Sequence, residues 1–133
     1  MTGWTADELE RIEAADELEI ASLRSDGTMG SRRTIWVVRV GDDLYVRSVN
    51  GRTSDWFRGT QRRHEGRIRA SGVEKDVTFV EADADLEARI DDAYREKYRR
   101  YAKSIVDSTL TPQARSAALK LVPASTGQKE ERT

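Results

Sequence analysis

Between residues 26 and 72 the chain places four turn signals, Asp26-Gly27, Gly41-Asp42-Asp43, Asn50-Gly51 and Ser71-Gly72, among short runs of aliphatic and β-branched residues. That spacing is the strongest constraint on the fold. A parallel strand pair needs a crossover of roughly a dozen residues or more, whereas two antiparallel strands close over a tight turn. Five strands fit before residue 83, at 19–23, 33–40, 44–49, 67–70 (started by Gly66) and 76–80. In 33–40, Ile35 and Val37 alternate with Trp36, Val38 and Val40, so apolar groups stand on both faces. This run and 44–49 are expected to pair as a hairpin.

Thr5-Ala6-Asp7-Glu8 has the spacing of a capping box, with Trp4 placed to pack on Leu9, so a helix is expected to about residue 15. Thr53 and Ser54 are cap-type residues ahead of a second helix that runs to about residue 63 and presents free backbone N–H groups in its first turn. Leu86, Ile90, Ala93, Tyr94, Tyr98 and Tyr101 recur at helical spacing, which predicts one long amphipathic helix over 84–102. Thr111-Pro112 reads as the cap and first position of a short turn, and 117–122 as its continuation or a sixth strand, of which we take the strand. The expected architecture is mainly β with helices: a six-stranded antiparallel barrel in one domain over residues 1–123, with a helix after strand 3 and a long helix after strand 5. Residues 124–133 are polar, lack periodicity and are expected to be disordered.

A length of 133 residues excludes a two-domain enzyme carrying its own cofactor module. The absence of Cys excludes disulfides, thiolate nucleophiles and Cys-type zinc or iron–sulfur sites. No apolar run is long enough for a membrane helix, and a cytoplasmic protein is expected. Net charge is −1, but residues 1–30 hold eight acids and two bases, while 31–75 hold five acids and eleven bases, all but Lys75 being arginine. Guanidinium groups suit carboxylate or phosphate recognition, so the middle third is a candidate anion-binding face; a solvated surface is the plainer explanation.

His64 is the only histidine and stands at the end of a predicted helix, so a zinc site or Ser-His-Asp triad lacks partners and an exposed structural role is expected. The pairs Asp83/Asp85 and Asp91/Asp92 point in different directions on a helix and read as solvated or dipole partners, with no metal site. Tyr94, Tyr98 and Tyr101 could line a pocket, but their spacing fits core better. Arg58 to Arg69 could meet nucleic acid, yet the pI near 5.9 and the lack of a recognition helix or aromatic platform argue against that partner.

Three pieces remain: Gly30-Ser31-Arg32-Arg33-Thr34 at the start of one hairpin strand, Arg47-Ser48-Val49-Asn50-Gly51 at the end of the other, and Arg52-Thr53-Ser54 opening a helix. A hairpin sets the first two side by side, and the third adds helix N-terminal amides. Convergent guanidiniums, hydroxyls and amides suit a phosphate, and Trp36 or Trp56 could stack on a flat ring. Read structurally, the same residues are a turn and two caps.

These residues, with Asp26-Gly27, Asp43 to Val46, Ser54-Asp55-Trp56-Phe57 and Ile90 to Tyr98, resemble a small bacterial family, DUF2255, itself similar to split-barrel proteins of the pyridoxamine phosphate oxidase-like and F420-dependent nitroreductase-like group. The resemblance covers residues 4 to about 123 and implies a six-stranded split β-barrel, usually a homodimer, with FMN or F420 in a groove at the dimer interface. Carried over by position, Arg32, Arg33 and Thr34 fall on the strand that gives phosphate or ring contacts, Ser48, Asn50 and Gly51 on a phosphate-binding segment, and Trp56 on an aromatic pair. The chain lacks the deazaflavin branch's lysine after Ser48 and its proline before Trp56. The implied function is a flavin- or deazaflavin-dependent oxidoreductase moving hydride between cofactor and a small organic acceptor, with Arg32, Arg33 and Ser48 holding the tail phosphate, backbone amides near Asn50 to Ser54 completing it, Arg47 and Arg52 close by, and Trp36 or Tyr45 packing near the ring. A non-catalytic module holding a cofactor or other anionic ligand is the alternative.

Overall fold

The computed structural model describes residues 3–124, and the segment 125–133, expected to be disordered, lies outside them. Seven strands, not six, form one antiparallel sheet: β1 (Leu18–Ser22), β2 (Arg33–Ile35), β3 (Val38–Val40), β4 (Asp43–Arg47), β5 (Glu65–Ala70), β6 (Val73–Glu81) and β7 (Ala118–Pro123). Their order is β2-β1-β5-β6-β7-β4-β3.

The extra strand arises because residues 33–40 are not continuous. β2 pairs with β1, Leu18 opposite Ile35, whereas β3 pairs with β4, Val38 opposite Tyr45. These two strands occupy opposite edges of the sheet, yet only Trp36 and Val37 separate them. Three residue steps span about 11 Å at most. The sheet therefore has to curl until its edges nearly meet, which makes it a split barrel. Apolar alternation runs unbroken across the division, so the pattern gave no sign of it.

The seam peptide has no strand partner, and backbone polar groups buried without partners are costly. The Val37 N–H donates to the Tyr98 hydroxyl at 3.1 Å, that hydroxyl donates to the Asp16 carbonyl at 2.7 Å, and Lys97 Nζ donates to the Val37 carbonyl at 2.7 Å. Trp36 lies flat on Tyr98, centroids 3.7 Å apart.

Alternation along β4 separates two apolar clusters. Leu44 and Val46 face the barrel interior with Leu18, Ile20, Ile68, Phe79 and Leu119, closed by Trp4 ahead of the first helix, Leu9 and Ile12 within it and Phe57 of the second. Tyr45 faces outward into a cluster with Val38, Ile90, Tyr94 and Tyr98. Gly66 of β5 lies against the Ala21 carbonyl and the Phe79 ring, where a Cβ would collide with backbone.

The first helix, α1 (Ala6–Ala14), has both halves of the Thr5/Glu8 capping box. The second, α2 (Asp55–Arg63), is capped by Ser54 and ends at exposed His64, which adopts a left-handed φ of 57°. The long helix expected over 84–102 is instead a 3-10 turn at Ala84–Leu86, α3 (Glu87–Lys97), an unwound turn, and α4 (Lys103–Asp107). Unwinding after Lys97 lets Tyr98 and Tyr101 both meet Trp36. A final turn, α5 (Pro112–Arg115), is capped by Thr111 and leads into β7, the strand read at 117–122. No helix among the described residues is long and apolar enough to cross a membrane.

Candidate functional site

A cleft of about 640 Å³ opens where the seam meets the start of α2. One wall is β2 and its exit (Arg33, Thr34, Ile35, Trp36), and the other is the α2 entrance (Thr53, Ser54, Asp55, Trp56). Arg47, Ser48, Val49 and Asn50 line it from the end of β4, while Tyr94, Ile105, Ser108 and Thr109 come from the outer helical layer. Its volume is within the range of small-molecule sites.

Eight of the residues singled out from sequence meet here: Arg33, Thr34, Trp36, Arg47, Ser48, Asn50, Ser54 and Trp56. Three do not. Arg32 turns to Glu19 at 3.8 Å, Arg52 pairs with Glu81 at 2.8 Å, and Gly51, at φ +82°, packs against Gln113. Tyr45, placed near the ring on the sequence reading, is buried in the outer cluster. The juxtaposition of Arg33–Thr34 with Arg47–Ser48 also has a different cause from the hairpin expected. β2 and β4 are not paired; closure of the barrel brings them together.

The lining divides into groups already committed and groups still free. Arg47 has a fully buried side chain, bonded to Asp91 Oδ1 at 2.6 Å and to the Thr109 carbonyl at 2.9 Å. Asp91 is itself buried, and its other oxygen accepts from Arg115 at 2.7 Å. This corrects the expectation that Asp91 is solvated. The two guanidiniums satisfy a carboxylate that would be costly to bury alone. The triad carries one net positive charge, and Arg47 Nε has no hydrogen-bond partner.

Arg33 is exposed and has no ion-pair partner among the described residues. Ser48 and Ser54 share a hydrogen bond of 2.7 Å, and Ser54 Oγ also accepts the Phe57 N–H at 3.4 Å. The first N–H groups of α2 stand behind them, and such amides favour anions. Asp55 is the one acidic side chain in the lining. Trp36 has one indole face occupied by Tyr98, and Trp56 is half-buried. Burial pushes the Tyr94 hydroxyl far above the usual tyrosine range, so it stays protonated at the cleft floor.

The sequence reading missed Ile105, Ser108 and Thr109, and gave Val49 no role of its own within the Arg47–Gly51 piece. Val49 and Ile105 are exposed aliphatics at the rim. Ile105 follows Tyr101 at a spacing of four, so an extension of the tyrosine stripe was the signal that could have found it. Tyr94 belongs to both core and cleft. No cluster of three potential metal ligands occurs among the described residues.

Solved structures share this fold at low sequence identity. A putative pyridoxamine 5'-phosphate oxidase from Listeria innocua superposes with a TM-score of 0.61 at 16% identity, covering 87% of this chain and 90% of that one. The heme storage protein HutZ from Vibrio cholerae gives 0.60 at 12% identity, covering 86% and 85%. An F420 reductase gives 0.50 at 17% identity, covering 86% and 89%. No curated protein matches the chain in sequence. Residues 8–121 match the profile of a family described as "Uncharacterized protein conserved in bacteria". That match runs from within α1 to within β7 and so takes in every strand of the barrel: the chain belongs to the DUF2255 family.

Proposed function

We propose that the cleft binds a planar-ring cofactor with a phosphorylated tail, FMN or F420, and that the protein is an oxidoreductase acting on a small organic acceptor. One observation carries this reading: the unpaired Arg33, the Ser48–Ser54 hydroxyl pair and the α2 amides share a cleft with two indoles. The donor set fits a phosphate, for which guanidinium and oriented N–H groups are the usual partners. Fold likeness to proteins named as a pyridoxamine phosphate oxidase and an F420 reductase supports the choice of cofactor.

When bound, such a cofactor supplies hydride transfer, and the protein has to hold, orient and shield it. Arg33, Thr34, Ser48 and Ser54 would hold the tail phosphate, and Asn50 would close over it. Trp36, fixed by its stack on Tyr98, and Trp56 would flank the ring. Arg47 is buried and bound to Asp91, the Thr109 carbonyl and the Glu87 carbonyl, so it would set a positive potential beneath the cleft without touching the tail. Exposed Val49 and Ile105 at the rim suit a second copy of the chain, which would complete the cleft as a homodimer.

Titration with FMN and with F420, followed by fluorescence, tests the reading; micromolar binding of one is expected, and no binding of either at low salt overturns it. Likeness to a heme storage protein keeps a holding role without turnover as the second reading. A bound cofactor that reduces neither quinones nor nitroaromatics would decide for that role.

A further inference from the structure

Most charged side chains outside the cleft are paired. Lys75 meets Glu8 at 2.6 Å and Lys103 meets Asp107 at 2.7 Å. Lys97 differs. It is half-buried at the end of α3, its Nζ bonded to the Val37 carbonyl and 5.2 Å from the Tyr98 ring centre, with no ion-pair partner among the described residues. It lines a second cleft of about 490 Å³ between α3 and β3, with Arg39, Arg99 and Arg100 around it.

Each of those arginines already has an acidic partner. Arg39 meets Glu13 at 3.0 Å and Asp42 at 3.6 Å, Arg99 meets Glu96 at 2.5 Å, and Arg100 meets Asp16. The exposed pairs of Arg99 and Arg100 contribute little, so those two guanidiniums can re-pair with an incoming dianion, while Arg39 adds a fixed positive charge. Burial lowers the Lys97 pKa to about 8; Arg100 adds to the fall, while Asp16 and Glu13 from the α1 side oppose it. Tyr98 and Tyr101 also face this region, and Tyr98 stays protonated because burial raises its pKa. At pH 8 about half of such an amine is neutral, against roughly one in 250 for an ordinary lysine.

We propose that Lys97 is a site of covalent acylation by acyl phosphates, which Arg39, Arg99 and Arg100 draw into the second cleft. Neutral Nζ attacks the acyl carbon and a C–N bond forms. The C–O bond to phosphorus breaks, phosphate leaves with the electron pair, and the proton released from nitrogen passes to solvent. Nothing is oxidised or reduced. The amide keeps one N–H for the Val37 carbonyl, so the seam loses a buried charge and retains a donor.

The full-length protein is treated with acetyl phosphate from pH 6.5 to 10.5, and acetylation of each lysine is quantified by peptide mass spectrometry. Lys97 is expected to react roughly tenfold faster than Lys103 at pH 8 and to level off above that pH. A Lys97 rate no greater than that of Lys103, or one without a plateau, overturns the proposal. The arginines are tested with uncharged N-hydroxysuccinimidyl acetate and with Arg99→Gln. Each should shrink the advantage of Lys97 over Lys103 severalfold, and an unchanged advantage in both excludes their role.

Discussion

Two arginines of the cleft show how little residue type alone says about role. Arg33 is exposed and unpaired, so it is free for a ligand; Arg47 is buried and bound to Asp91, so it belongs to the framework. Arg33→Gln should weaken binding of whichever cofactor titrates by about tenfold, the usual worth of one charge-assisted hydrogen bond, and leave the urea midpoint unchanged. Asp91→Ala should lower stability by about 3–5 kcal/mol, because it leaves two guanidiniums without their carboxylate. Arg52→Ala breaks an exposed pair with Glu81 and should cost about 1 kcal/mol or less. Similar urea shifts for these two variants would contradict the division into framework and surface. Nothing in the sequence marks Arg47 as the buried one. Its partner Asp91, and the Arg115 that also binds Asp91, lie far along the chain, and a carboxylate beside Asp92 on a charged helix reads as solvated.

Elements defined by local chemistry were legible, and those defined by the barrel were not. The Thr5/Glu8 capping box, the Ser54 cap and the Thr111-Pro112 turn need only a few adjacent residues to form, and all three stand where the sequence puts them. The division of 33–40 into β2 and β3 depends on which edges the sheet brings together, so unbroken alternation could not disclose it. Much the same holds for the helix that stops at Lys97, since Tyr98 and Tyr101 turn toward Trp36, a residue of the seam. Eight of eleven site residues still converge, because the turn after β4 and the α2 cap are local, and only the way β2 reaches them is not. Ser54 joins the two levels, capping α2 while bonding Ser48. Ser54→Ala should cost about 1 kcal/mol in urea unfolding and weaken cofactor binding as well; loss of stability with full affinity would leave Ser54 a cap only.

Across the whole molecule, the acidic first third and the arginine-rich middle third are interleaved. Glu19 meets Arg69, Glu13 meets Arg39 and Glu8 meets Lys75, so folding cancels most of the segregation visible along the chain. What survives is local to the two clefts. Lys97 holds its proton less tightly when folded, with a pKa of about 8 against 10.5. Between those values the unfolded chain binds more protons, so this lysine's contribution to stability rises with pH. The urea midpoint of the wild type relative to Lys97→Met should accordingly move in favour of the wild type from pH 8 to 10.5, and a constant difference would mean that the ammonium is fully hydrated. The seam itself acts like the pin of a buckle. Trp36 and Val37 set the girth of the barrel by covalent bonds, where a closed barrel would use a ladder of hydrogen bonds. A Gly-Ser pair inserted between them adds little loop entropy, since each doubling of length costs about 0.6 kcal/mol. A larger fall in stability, together with loss of cofactor affinity, is therefore expected from slack alone. A relative of this chain could widen its cleft by lengthening that one connection, with every lining residue left in place.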